Sequence, residues 1–105
     1  MTDEEFLLEV KAEIDRARSK FPAADMTNAA LVEEVGELST ALMYEPWNRV
    51  IAEAVQVAAM ACRLATEGDW SAKRFRDHKV HAIDKYGKPM RYVGPEFEMP
   101  EPLSV

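Results

Sequence analysis

Three glutamates, Glu33, Glu34 and Glu37, fall within five positions of the stretch ALVEEVGELSTALM, residues 30–43. On a helix advancing about 100° per residue, Glu37 lies about 40° and Glu34 about 100° from Glu33. The acids share one arc, beside an apolar stripe of Leu31, Val35, Leu38 and Leu42. By itself this pattern describes an amphipathic helix with a solvated acidic face, because like charges at this spacing cost only tenths of a kcal/mol. A fourth acid changes the balance. Glu53 sits in WNRVIAEAVQVAAMACRLATE, where Val50, Val57, Met60 and Leu64 flank it on the wheel and apolar residues continue round most of the circle. Gln56 and Arg63 interrupt that surface on one side. A helix apolar nearly all round is a buried one, which places Glu53 inside the buried surface.

A buried carboxylate needs a partner or a proton. Arg49, one turn earlier, can reach Glu53; Arg63 lies on the wrong side of the wheel. A bound cation is the remaining option. Should Glu53 face the Glu33/Glu34/Glu37 arc across a helix pair, four carboxylates converge into hard oxygen ligands suited to Mg²⁺, with Mn²⁺ as substitute.

The elements that must position these acids read as helices throughout. Thr2 and Glu5 form a capping box ahead of Phe6, Val10, Ile14 and Ala17 at helical spacing. That helix runs to about Lys20 and stops at Pro22. A second starts near Asp25 or Thr27, either of which can cap it, and ends about Tyr44. The third runs from Pro46 to Glu67, with Gly68 as its stop. A fourth, capped by Asp69 or Ser71, reaches Tyr86 and Gly87 before Pro89. No strand pattern competes. The expected fold is an all-α antiparallel bundle of about four helices over residues 1–93, completed by oligomerisation because so small a bundle leaves an apolar third helix to cover. Residues 94–105, GPEFEMPEPLSV, form a proline-rich C-terminal arm.

Composition narrows the function. The 105 residues suit one domain, 48% hydrophobic and 30% charged. A formal net charge of −6 argues against binding nucleic-acid polymers. No stretch approaches the roughly 20 apolar residues of a membrane span. The acidic start MTDEEF is not a signal peptide, and the single Cys62 fits a cytoplasmic location. Cys62 reads as a packing residue. His78 and His81 share a helix face but lack the further ligands a zinc site requires. The ExxH signature of di-iron bundles is missing.

EEVGE, residues 33–37, matches the pattern EExxE, and Glu53 opens a partial ExxD. Together, over roughly residues 25 to 87, these segments resemble the MazG-like all-α nucleoside triphosphate pyrophosphohydrolases, relatives of dimeric dUTPases and dCTP pyrophosphatases. The resemblance implies Mg²⁺-dependent hydrolysis of a nucleoside triphosphate to monophosphate and pyrophosphate, in nucleotide-pool cleaning, by a homodimer or homotetramer. It implies metal ligation by Glu34, Glu37 and Glu53, with Glu33 binding a further metal or orienting water. The final Asp of the pattern falls on Gln56, whose amide oxygen can ligate Mg²⁺ but brings no charge. A catalytically weak or inactive nucleotide- or metal-binding protein, or a helical interaction module, is the alternative. For substrate, Lys73, Arg76 and Lys79 can meet phosphate, Trp47 can stack on a base, and Asn28 can bond a sugar or base.

Overall fold

In a computed structural model, residues 1–77 are described, with side chains through Arg74. They form four helices and no strand: α1 (Asp3–Lys20), α2 (Thr27–Tyr44), α3 (Trp47–Glu67) and α4 (Trp70–Asp77). The expected extension of the fourth helix to residue 87, His78, Lys79, His81 and the arm lie outside the described residues, as does the Arg76 side chain. No described helix is long and apolar enough to cross a membrane.

α1 starts as its sequence dictates. Thr2 Oγ1 accepts from the Glu5 N–H at 3.1 Å, and Asp3, Glu4 and Glu5 meet the positive end of the helix dipole while Arg18 and Lys20 meet the negative end. Its inward positions, Val10 and Ile14, join Val55 and Ala59 of α3 as the buried core, with Phe6, Ala58 and Cys62 packed against them. α2 and α3 are joined by only Glu45 and Pro46 and pack along one another as a helical hairpin. α3 is thus the central rod, with α1 and α2 laid against it.

α2 enters differently from expectation. Neither Asp25 nor Thr27 caps it: Met26 precedes the helix in the left-handed region, at φ 57°, and no side chain of the N-cap residue bonds a helix N–H. Asp25 instead accepts from the Met26 N–H at 3.0 Å. The α2 donor is satisfied from far along the chain. Asp69 Oδ2 accepts from the Asn28 N–H at 2.7 Å, while Asp69 Oδ1 accepts from Ser71 N–H at 2.9 Å and Ser71 Oγ at 2.6 Å. One buried aspartate therefore caps α2 and α4 together. The Trp70 N–H, donating to Ala24 O at 2.9 Å, closes the same junction.

The apolar stripe of α2 is divided rather than buried as a unit. Leu31 and Leu38 are half-buried, but Val35 is 44% exposed and Leu42 59%. Burial on α2 is deepest at Thr27 and Ala41, in line with Glu34, and the stripe lies to one side of that line. Arg63, which interrupts the apolar surface of α3, is buried, forked onto Glu67 at 2.8 and 3.0 Å and donating to Phe21 O at 2.8 Å.

Candidate metal centre

α2 presents Glu34 and Glu37 one turn apart, and α3 presents Glu53 across the hairpin. Each offers one carboxylate oxygen, and these oxygens lie within 4.8 Å of one another. Glu53 is 7% exposed. Its Oε1 accepts from Arg49 Nη2 at 2.6 Å, the i,i+4 partner anticipated from spacing. Its Oε2 is buried and has no hydrogen-bond partner, and Glu34 Oε2 is in the same condition. Arg49 is itself shared, its Nε standing 3.7 Å from Glu45 Oε1.

Three carboxylates thus face one guanidinium. The electrostatic consequence falls on Glu34, whose pKa is pushed up to about 7, first by burial, then by the charge of Glu37 and the proximity of Glu53. A positive charge at this point, whether a proton or a cation, relieves the same repulsion. The donor set fits a hard divalent ion: carboxylate oxygens only, from two rigid helices, with unpaired lone pairs directed inward.

The centre opens on two sides. A polar cleft of about 580 Å³ is lined by Glu33, Glu37, Thr40, Glu45, Arg49 and Glu53. Glu33 is exposed there and stands outside the close group of three. On the other side of Glu34 lies a groove of about 620 Å³, mainly apolar, to which Pro22, Ala30, Gln56 and Met60 contribute. Gln56 borders a common cavity with Glu13, whose carboxyl is held below its ordinary range chiefly by Arg16. The junction of polar cleft and apolar groove is about one helical turn, the spacing of Glu34 to Glu37 and of Glu53 to Gln56.

The remaining candidate residues are placed apart from the three acids. The Asn28 side chain is exposed, while its backbone N–H serves the Asp69 cap. Trp47 is 67% exposed and borders a separate cavity with Met1, Phe6, Leu7 and Ile51. Lys73 Nζ lies 5.7 Å from the Trp70 ring.

Two polar features were not anticipated from sequence. The first is the buried Arg63–Glu67 fork, joined by Arg18 Nε to Glu67 Oε2 at 3.1 Å. Burial pushes the Glu67 carboxyl up, but the bonds from Arg63 and Arg18 together hold it below the usual range. The i,i+4 spacing of Arg63 and Glu67 was a readable signal; burial was not. The second is the bond from the Asn28 N–H to Asp69, a residue expected only as a cap of the fourth helix; its carboxyl is likewise held down, against burial, by Ser71 and the backbone donors. Its 41-residue reach to Asn28 leaves no local mark.

Comparison of the chain with models of known protein families, with curated proteins and with solved structures returns no match.

Proposed function

We propose that this protein is a divalent-metal-dependent nucleoside triphosphate pyrophosphohydrolase, resembling the MazG-like enzymes and using Mg²⁺, with Mn²⁺ as substitute. The observation that carries the reading is Glu53: a carboxylate more than nine-tenths buried, with one oxygen unpaired, that brings an oxygen within 4.8 Å of one from each of two further carboxylates. A structural bundle gains nothing from that arrangement, since one arginine partner leaves the other acids of the group uncompensated and a buried oxygen unsatisfied.

In this reading Glu34, Glu37 and Glu53 hold the metal, and Arg49 fixes the orientation of Glu53 through its 2.6 Å bond. The metal, when bound, neutralises phosphate charge and lowers the pKa of a coordinated water. Glu33, exposed on the rim of the polar cleft, is placed to orient an attacking water. The cleft accepts the triphosphate, and the neighbouring apolar groove, entered beside Glu34 and bordered by Gln56, accepts the base. Lys73, Arg76 and Lys79 remain proposed phosphate contacts and Trp47 and Asn28 proposed nucleoside contacts. A homodimer or homotetramer in the cytoplasm completes the proposal.

A second reading, binding of nucleotide and metal without efficient turnover, is favoured by Gln56. Its amide brings no charge, and no acid stands at the position where the ExxD pattern ends.

The test is pyrophosphate release over a panel of NTPs and dNTPs with Mg²⁺ or Mn²⁺, beside calorimetric titration of Mn²⁺. The hydrolase reading expects turnover of at least one nucleotide, abolished in Glu53→Gln. Mn²⁺ binding with no released pyrophosphate selects the second reading. Absence of both turnover and Mn²⁺ binding overturns the two together and leaves a helical interaction module.

A further inference from the structure

The polar cleft beside the three acids holds a single positive charge. Glu33, Glu37, Glu45 and Glu53 line it with Thr40, and Arg49 is the one cation among its described lining residues. The other described arginines are held elsewhere: Arg16 on Glu13, Arg18 and Arg63 on Glu67, Arg74 on Asp25. Arg49 lies four residues from Glu45 and four from Glu53, yet it is only partly engaged by them. Nη2 donates to Glu53 Oε1 at 2.6 Å, whereas Nε stands 3.7 Å from Glu45 Oε1, too far for a hydrogen bond. A guanidinium has five N–H donors, and 48% of this side chain is exposed, so donors remain on the open side of the cleft.

We infer that Arg49 grips the phosphate chain of the ligand: one N–H stays on Glu53 and the others bind oxygens of a di- or triphosphate. A contrast within α3 separates this role from that of a counter-ion alone. Arg63, the structural partner of Glu67, is buried and forks onto both carboxylate oxygens. Arg49 is half-exposed, meets one oxygen of Glu53 and leaves the other unpaired. The planar fork of a guanidinium fits two oxygens of one phosphate side by side, which makes a phosphate the anion it suits best.

The inference rests on the metal site proposed above, not on turnover. With a divalent ion held by Glu34, Glu37 and Glu53, the guanidinium loses part of its attraction to Glu53 and gains a like-charged neighbour, and a bound anion relieves both effects. Without the ion, the same anion meets four carboxylates against one guanidinium and is repelled. Binding of the anion therefore depends on the metal. Arg49 stands one turn from Glu53 on the same helix, so the metal ligand and the phosphate contact are held in fixed register.

Equilibrium dialysis of labelled inorganic pyrophosphate, in saturating Mn²⁺ or in chelator, tests the contact, and calorimetry gives the Mn²⁺ dissociation constant of each protein. Wild type is expected to bind pyrophosphate in Mn²⁺ and not in chelator. In Arg49→Gln the pyrophosphate dissociation constant at Mn²⁺ saturation rises roughly tenfold or more, the loss of a charge-assisted bond. Should Arg49→Gln unfold, Arg49→Lys decides: it keeps a charge beside Glu53 but lacks the fork, and its pyrophosphate constant also rises above that of wild type. Lys11→Gln, the same change of charge at an exposed α1 residue paired with Asp15, leaves both constants at wild-type values. An Arg49 that acted only by orienting Glu53 would change the Mn²⁺ constant and leave pyrophosphate binding at saturation unaltered; that result overturns this inference alone. So does a manganese-loaded wild type that binds no pyrophosphate, pyrophosphate binding of equal strength in chelator, or an equal loss in Lys11→Gln. A wild type that binds no Mn²⁺ overturns the metal reading, and the inference with it.

Discussion

Glu34→Gln should make the metal-free protein more stable at alkaline pH while destroying its capacity to bind a divalent ion. An ordinary glutamate of pKa 4.5 in the unfolded chain is held to about 7 in the fold. The folded state therefore binds the proton more tightly than the unfolded state. Such a group stabilises the fold fully below pH 4.5, and that stability is lost as pH rises through 7. The gap corresponds to about 3 kcal/mol well above pH 7, at about 1.36 kcal/mol per pH unit. Linkage places most of this loss between pH 5 and pH 8, so wild type declines by roughly 2–3 kcal/mol across the interval. Glutamine carries no charge to bury, keeps the shape, and its amide N–H can donate to the unpaired oxygen of Glu53.

Urea unfolding of both proteins at pH 5 and pH 8, in the presence of a chelator, measures the difference directly. The two histidines titrate in both chains and cancel in the comparison. The variant should gain roughly 2–3 kcal/mol relative to wild type between the two pH values. Manganese should then close that gap. A ligand at 100 times its dissociation constant adds about 2.7 kcal/mol to the protein that binds it, enough to bring wild type level with the variant at pH 8. A variant less stable than wild type at pH 8, or an offset identical at both pH values, would refute the idea that the three carboxylates repel one another.

Other expected outcomes follow from the polar contacts that hold the helices in place. Asp69→Ala should cost about 2–4 kcal/mol in chemical denaturation, because the donors of Asn28 and Ser71 lose one common acceptor. Glu67→Gln should cost about 3–5 kcal/mol by the same measurement, since it leaves the Arg63 guanidinium buried against a neutral group. Because Glu67 and Asp69 are both held below their ordinary range, their contribution is present above the unfolded carboxylate pKa and is lost as pH falls below it. Stability measured against pH should therefore decline on the acid side for these two and on the neutral-to-alkaline side for Glu34. Met26→Gly should raise stability by about 0.5–1 kcal/mol in thermal melts, by relieving a left-handed conformation that a Cβ disfavours.

What the sequence revealed depended on how local the determinant was. Thr2 and Glu5, Pro22, Pro46 and Gly68 act within one turn, and the helices begin and end beside them. Glu53 was found because its apolar neighbours lie on its own helix, and Arg49 because it stands four residues away. Asp25 and Thr27 misled because cap chemistry is necessary but not sufficient: an aspartate from the far end of α3 supplies the α2 acceptor. The burial of Arg63 was not legible, because it depends on partners that receive an arginine's five donors, and one of them, the Phe21 carbonyl, lies 42 residues away. The close group of three rather than four acids followed from rotation. Glu33 lies on the far side of Glu37 from the α3 contact, and only the inter-helix angle could settle which acids reach across.

That rotation divides α2 into three sectors around its circumference. Thr27, Glu34 and Ala41 lie on its most buried line; Glu33 and Glu37 border the open cleft; Val32, Val35 and Leu42 stay exposed. The first sector contains the telling position. Two of its three residues, Thr27 and Ala41, are small, buried and easily packed. At the middle position a leucine or alanine would complete the helix–helix contact at no electrostatic cost, and about 25 cal/mol per Å² of buried apolar surface would favour it. A carboxylate there instead raises its own pKa to about 7 and leaves an oxygen without a partner beside another in the same state. Packing alone gives no reason for that choice. On the reading proposed above a divalent ion would give one: Glu34 and Glu53 would serve as its ligands, and the repulsion of three acids would become affinity for it.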